Sequence, residues 1–334
     1  MKKITIKDVA KAAGVSTATV SNALNDAEVI NKETKERVLR IAREMNYVPN
    51  MSGRMLKVGQ SNMIGFISSS FTGPYFSELI ETMQSECEER GYGLMFIYTQ
   101  KPQIIRNYVF GGGLDGIFLF EGVERFGTEE VKQMESQKIK GIFLDRDIEG
   151  ANIGSITFNS HASAYRLTEE LIKQGHKNIM FISGPYDVQD SVDRMAGFRD
   201  AMKAYGLPYG EEQIIHGFFT EQVTYETVRK MAQDGKPMPE AFVAGNDSSA
   251  MGCIRALREL GYTVPGDISV AGFDDIELAR YFEPALTTVR MPISTQGRMA
   301  VEMLLNMIAG QSIDEMSVKL DGEVVVRNST RSRN

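Results

Sequence analysis

The sequence predicts an α/β fold: an all-α head followed by two doubly wound parallel-sheet subdomains. Three observations predict it. Residues 1–47 hold three short amphipathic helical patterns, with a glycine between the first two. From Met63 onward, short apolar runs alternate with helical patterns, as in a parallel sheet covered on both faces. After residue 160 the same alternation starts again.

The head comes first. Thr5 and Asp8 have the Ser/Thr-x-x-Asp/Glu spacing of a capping box, in which each side chain satisfies an orphan N–H at a helix start. Ile6, Val9, Ala10 and Ala13 then follow at i, i+3, i+4, i+7 and make one apolar face. Gly14 stands where that helix must stop, since a left-handed C-terminal residue costs glycine no Cβ clash. Ser16 is a good N-cap for a second helix. That helix turns Val20, Ala23 and Leu24 inward and leaves Thr17, Ala18, Ser21 and Asn22 outside. Asn31 can cap a third, whose inner stripe is Thr34, Val38, Ile41, Ala42 and Met45. Such a trio, with a Gly-containing turn, describes a helix-turn-helix DNA-binding module. A small helical cap on an enzyme is the bland alternative; caps, turn and core matching together weigh against it.

Thr5–Asn25, followed by the hinge stretch Tyr47–Lys57, resembles the head of a LacI/GalR-family transcriptional repressor. The likeness runs over nearly the whole chain. It implies that Thr5, Ser16, Thr17, Ala18, Ser21, Asn22 and Asn25 in the head, and Asn50 and Leu56 in the hinge, meet DNA. Pro49 favours a helix start, but Asn50–Leu56 spans barely two turns, which is marginal in water. Gly53 costs it roughly 1 kcal/mol against alanine; many relatives are alanine-rich here. The resemblance implies a hinge that orders on DNA, pairs with a partner's hinge and wedges Leu56 into the minor groove.

Charge fits a head that touches phosphate. The formal net charge is −7. Residues 1–57 carry 11 Lys+Arg against 6 Asp+Glu, net +5; the rest carries 26 against 38, net −12. Phosphate binding is therefore expected at one end only. Cys87 and Cys253 allow neither a disulfide framework nor zinc spacing. Lys2 and Lys3 are not followed by an apolar run, so a cytoplasmic protein without a leader is expected. No run of about 18 apolar residues exists to span a membrane.

In the first subdomain the strands are expected at 63–68, 94–98, 116–120 and 141–145, with a helix over 76–90 and Ser155–Phe158 as a crossing strand. The stretch 100–109 looks short, which predicts a truncated helix before Gly111. In the second, strands are expected at 179–183, 213–216, 241–245 and 268–273. Helices over 161–174, 193–205, 225–233 and 247–260 separate them. The resemblance implies a core of periplasmic-binding-protein-like type, with helix 294–309 returning to the first subdomain and strand 323–327 to the second. The expected domains are a 1–47 head, a 48–60 hinge and linker, a 61–160 core N-subdomain with 291–321, and a 161–290 core C-subdomain with 322–330.

Several motifs fail. Gly111–Gly116 satisfies G-x-G-x-x-G but precedes its strand, whereas a dinucleotide site needs the glycines between strand and helix. His161, His176 and His216 have no metal-like spacing, so surface or helix-end roles are expected. Asp274 and Asp275 are adjacent and should point apart. No catalytic residue, metal or cofactor is implied.

Ligands of open α/β sheets bind beyond the C-terminal ends of the strands. There stand Phe71, Tyr75, Phe76, Asp145, Arg194, Phe219, Asn246 and Asp274. Carboxylates, an amide, an arginine fork and aromatic faces suit a sugar. Arg194, Asn246 and Asp274 match ligand positions of the family within clear motifs; Asp145 and Phe219 match less closely. Each could instead be a solvated loop residue, and Asn246 could cap the next helix. Gly73-Pro74 replaces an asparagine common in relatives. Relatives of the purine-responsive branch carry a basic residue in the loop before Arg194, where this chain reads YDVQD, residues 186–190; that favours a neutral sugar. The expected function is a sequence-specific repressor, a homodimer on pseudo-palindromic double-stranded operator DNA, controlled by a small effector. A co-repressor-dependent or global regulator of the same family is the alternative. A non-regulatory sugar-binding protein is another, which the head opposes.

Overall fold

The computed structural model describes residues 4–24, 30–48, 59–120, 126–148 and 150–333. The chain divides into two compact units, Met1–Ser61 and Asn62–Asn334.

In the first unit, α1 (Ile6–Ala13), α2 (Thr17–Leu24) and α3 (Lys32–Glu44) form the expected trio. Asp8 accepts from the Thr5 N–H at 2.9 Å and from its hydroxyl at 2.6 Å. Gly14 ends α1 at φ 65°. Ser16 Oγ accepts from the Thr19 N–H at 3.0 Å, and Asn31 Oδ1 from the Thr34 N–H at 2.8 Å. Each helix thus starts on a side chain that satisfies an orphan donor. Val9, Ala10, Ala13, Val20, Ala23, Val38 and Ala42 pack as one small core, with Ile41, Met45 and Leu24 half-buried against it.

The second unit holds two parallel sheets. Six strands make the first: β1 (Met63–Ser68), β2 (Gly93–Tyr98), β3 (Gly116–Phe120), β4 (Gly141–Phe143), β5 (Ile153–Phe158) and β11 (Ser317–Leu320), in the order β11-β5-β4-β3-β1-β2. All its pairings are parallel, for example Ile64 against Gly116 and Ser317 against Ser155. Its helices are α4 (Pro74–Glu89), α5 (Pro102–Phe110), α6 (Thr128–Ser136) and α12 (Ile293–Ala309). The second sheet has the order β7-β6-β8-β9, from β6 (Ile179–Ser183), β7 (Ile214–His216), β8 (Ala241–Ala244) and β9 (Ser269–Ala271). Around it lie α7 (Ser160–Lys173), α8 (Gln189–Ala204), α9 (Glu221–Gln233), α10 (Asp247–Glu259) and the short α11 (Glu277–Tyr281). An antiparallel pair, β10 (Thr288–Arg290) with β12 (Glu323–Val325), lies beside this sheet through bridges at Ala271 and Asp274.

The α/β class and its helical head are as expected. Some local expectations need correction or detail. Ser155–Phe158 belongs to a regular strand inside the first sheet, between β11 and β4, and the chain leaves that sheet only after it. A nine-residue helix, α5, occupies the stretch that looks short, with Ile105 and Val109 giving it a buried face. The α8 helix begins at Gln189, four residues before the expected start, with Ser191 buried and Asp190 accepting from the Ser160 hydroxyl in its first turn. His176 has the expected helix-end role, its ring 3.0 Å from the Leu171 carbonyl in the last turn of α7, but it is buried rather than at the surface and also lies 2.9 Å from Ser269 Oγ.

Candidate functional site

Two sites arise from these elements. On the head, Thr17 and Ala18 are exposed on α2, while Ser21 and Asn22 are half-buried along it. The Thr5 and Ser16 hydroxyls are engaged in capping. Asn25, Asn50 and Leu56 lie outside the described residues.

The other site is a cavity of about 350 Å³ between the C-terminal ends of the two sheets. Ser68, Phe120 and Phe158 reach it from the ends of β1, β3 and β5, and Tyr75 and Phe76 from the start of α4. The second half contributes Asp190, Arg194, Phe218, Phe219, Asn246 and Asp274.

Arg194 is its centre. The guanidinium is buried, donates to the Gly245 carbonyl at 2.6 Å and lies 3.3 Å from Asp274 Oδ1. Its carbon stands 3.8 Å from the Phe273 ring centroid and 5.6 Å from that of Phe219, which holds the cation by ring quadrupoles as well as charge. Arg194 Nε is buried with no hydrogen-bond partner. Asp274 stands at φ 109°, a strained position that neighbours must enforce. Behind it, buried Asp247 accepts from the Ile276 N–H at 2.9 Å and Thr288 Oγ1 at 2.6 Å. Asp275 turns the other way, to Arg290 at 2.8 Å and Arg327 at 2.6 Å. The adjacent carboxylates thus point apart, one toward the cavity and one into a structural ion cluster.

Burial pushes the Asp274 carboxyl up to about 6, with Arg194 opposing and Asp190 adding to the rise. Burial also raises Asp190, again opposed by Arg194 and by the Ser160 hydroxyl, which donates to it at 2.6 Å. Burial holds the Tyr75 phenol well above its usual range, with nearby carboxylates adding to it. Tyr75 donates to Gln296 Oε1 at 2.9 Å, and Gln296 in turn donates to the Leu144 and Ile156 carbonyls. This chain of bonds fixes the ring from α12. Asn246 is largely engaged: its oxygen accepts from the Ser249 N–H, capping α10, and its amide donates to the Phe219 carbonyl.

Among the eight residues expected at the cleft, Tyr75, Phe76, Arg194, Phe219, Asn246 and Asp274 line this cavity. Phe71 packs instead in an aromatic cluster with Phe66, Phe76 and Phe96. Asp145 lines an adjoining cavity. Sequence reasoning missed Asp190, Phe120 and Phe158. The strand-end rule already pointed to both phenylalanines, each the last residue of an expected strand, 116–120 and Ser155–Phe158; Asp190 stood in the acidic loop already noted.

No helix among the described residues is long and apolar enough to cross a membrane. Nor, among them, do three or more His, Cys, Asp or Glu gather as a metal site.

Known proteins resemble the chain throughout. Residues 5–50 match the family of bacterial regulatory proteins called lacI, and 168–330 match a periplasmic binding protein-like domain. The HTH-type transcriptional repressor PurR of Vibrio parahaemolyticus is 34% identical over 337 residues, 99% of this chain and 99% of that one. PurR of Histophilus somni strain 129Pt is 34% identical over 98% of this chain and 99% of its own length. A lac repressor dimer bound to operator and the anti-inducer ONPF superposes with a TM-score of 0.85 at 26% identity, over 99% of this chain and 100% of that one. A complex of the transcriptional regulator CelR with cellobiose gives 0.73 at 25%, over 98% and 99%. A helix-turn-helix head carried on a two-sheet binding core defines a DNA-binding transcriptional repressor. The chain belongs to the lacI family of bacterial regulatory proteins.

Proposed function

We propose that this repressor is a homodimer that reads a pseudo-palindromic operator and is controlled by a neutral sugar held in the cleft. One observation carries the sugar reading: Arg194, with a free buried Nε, stands among two carboxylates and a wall of aromatic rings. Sugar hydroxyls donate to carboxylates and accept from guanidinium, and their C–H faces stack on rings. Asp190 and Asp274 against Arg194 give the cavity an acidic excess, which opposes phosphorylated ligands. A solved relative holding cellobiose supports the same class. The aromatic walls also favour a second reading, a flat purine base.

Base contacts are assigned to Thr17, Ala18, Ser21 and Asn22, with Asn22 suited to adenine and the Ala18 methyl to thymine. Thr5, Ser16 and Asn25 would meet phosphates from the helix ends. Asn50 and Leu56 would act from the hinge. Ligand contacts are assigned to Tyr75, Phe76, Phe219 and Asn246 around Arg194 and Asp274, with Asp145 beyond. The protein would work in the cytoplasm, where operators are. Effector binding shifts the repressor only by its differential affinity for the two states.

A thermal-shift screen with sugars, sugar phosphates and purines tests this. A ligand at a hundred times its Kd stabilises by about 2.7 kcal/mol. A neutral sugar that raises Tm and changes operator affinity in a mobility-shift assay is expected. A response to purines alone would replace the sugar reading with the second.

A further inference from the structure

The C-terminal residues form a strap on the second half of the core. Residues 328–333 run beside β9, the outer strand of its sheet. The Ser329 carbonyl accepts from the Val270 N–H at 2.9 Å, and its hydroxyl donates to the Val270 carbonyl at 2.6 Å. The same hydroxyl oxygen accepts from the Thr287 N–H at 2.8 Å, so the strap also ties down the segment that leads into β10. Farther on, the Arg333 N–H donates to the Gln174 carbonyl at 2.7 Å, and its guanidinium lies 3.7 Å from Glu240.

Between these two fastenings a histidine holds the strap. The Arg331 N–H donates to Ser269 Oγ at 3.3 Å, and that oxygen lies 2.9 Å from His176 Nε2. The other ring nitrogen, Nδ1, lies 3.0 Å from the Leu171 carbonyl. A carbonyl can only accept, so Nδ1 carries the hydrogen. In the neutral ring Nε2 is then bare, and it accepts from the Ser269 hydroxyl. The chain Arg331–Ser269–His176–Leu171 is thereby fixed in direction. His176 is 1% exposed, so water does not reach it to replace a lost partner.

A second proton on the ring reverses one link. Nε2 becomes a donor facing a hydroxyl hydrogen, so Ser269 must turn, and its turn disturbs the bond from Arg331. Burial holds the ring below its ordinary value, against the pull of the Leu171 bond. Of the charged groups facing it, Arg333 and Arg331 of the strap oppose the proton, while Glu240, just before β8, favours it.

We propose that His176 is a proton-operated latch on the C-terminal strap: neutral, it holds the strap on β9; charged, it lets the strap go. The fold favours the neutral ring, so the strap is held above about pH 6.5, the ordinary histidine value, and loosens as pH falls below it. Release would free Thr287, whose neighbour Thr288 holds Asp247 behind Asp274. The latch thus bears on the floor of the cleft, whichever effector the cleft takes.

Amide hydrogen exchange of the full chain tests it, each rate divided by the intrinsic rate at the same pH. From about pH 7.5 to about pH 5.5, protection of residues 328–333 should fall about five- to tenfold, the linkage expected one unit below the ordinary value. Strands β6 and β8 should keep theirs. His176→Gln offers Ser269 an amide oxygen and takes up no proton, so the pH dependence should vanish. Ser269→Ala cuts the ring from the strap, and protection there should be low at both pH values. A parent strap equally protected at the two pH values would overturn the latch. So would an undiminished fall in either variant, or a parallel fall across β6 and β8, which would mark global destabilisation. If His176→Gln does not fold, the parent and Ser269→Ala decide between these outcomes.

Discussion

Asp274 and Asp275 show how far one residue step can separate two roles. Asp275 is locked between Arg290 and Arg327, whereas Asp274 faces the cavity with its carboxyl raised to about 6. A raised carboxyl means that the folded state binds more protons than the unfolded one between about pH 4 and 6. Stability therefore falls as pH rises through that window and levels off above it. Asp274→Asn, which mimics the neutral acid, should melt higher than the parent. The gain should grow from pH 4 to pH 6 and stay constant above, by calorimetry without ligand. Arg194→Ala should abolish the ligand-induced Tm shift and leave operator affinity of the unliganded protein intact. On the head, Asn22→Ala should cost roughly 1–3 kcal/mol at one base position and relax preference there; selection from a randomised operator reads it. Arg194 and Asp274 were legible in the sequence because each follows a strand end. Asp190 was not, because a helix that starts on polar residues gives no periodic apolar signal at its first turn.

Elements that depend on local chemistry were the easiest to read. All three head helices carry their own caps, and the structure uses Asp8, Ser16 and Asn31 for that purpose. Partners distant in sequence were harder. Without β11, contributed from residue 317 onward, β5 has no neighbour on its outer side, so its place within the sheet was hidden. The 217–220 loop is likewise invisible to periodicity. Phe218 and Phe219 both take positive φ, 52° and 60°, and the Phe219 ring lies against the backbone of Gly184. A Cβ at Gly184 would sit 2.3 Å from that ring. Gly184→Ala should push Phe219 into the cavity, weakening ligand binding more than tenfold while lowering Tm by only a few degrees. Isothermal titration and a melt on one preparation separate the two effects.

At the scale of the molecule, several apolar side chains of the second unit are exposed, two groups of them on single elements. Met95, Phe96 and Tyr98 are exposed on the edge strand β2, and Leu278 and Tyr281 on α11. Exposed apolar groups clustered on an edge strand invite pairing with another chain, as the proposed dimer would provide. Tyr281→Asp and Phe96→Asp should each shift sedimentation toward monomer. Each should also weaken operator binding, since half-sites are then bound singly. Charge is the broadest feature the sequence showed, with the basic excess confined to the head. Operator affinity should fall steeply with salt, while ligand affinity at the buried Arg194 should hardly change.

The chain passes between the two sheets of the second unit three times among the described residues: after β5, before α12, and between β11 and β12. Neither half is therefore a continuous stretch that can be cut out and exchanged. The head is such a stretch, complete by Ser61. Recombination can thus re-address the protein to a new operator with one crossover near residue 60, but it must inherit the sensor whole. A chimaera joined there should fold and answer to the same effector at a different DNA site. One joined at residue 160 should be insoluble, because its first sheet would be closed by a foreign α12 and β11. Within this lineage, what is sensed and what is addressed are free to evolve separately, while the two walls of the sensor are bound to change together.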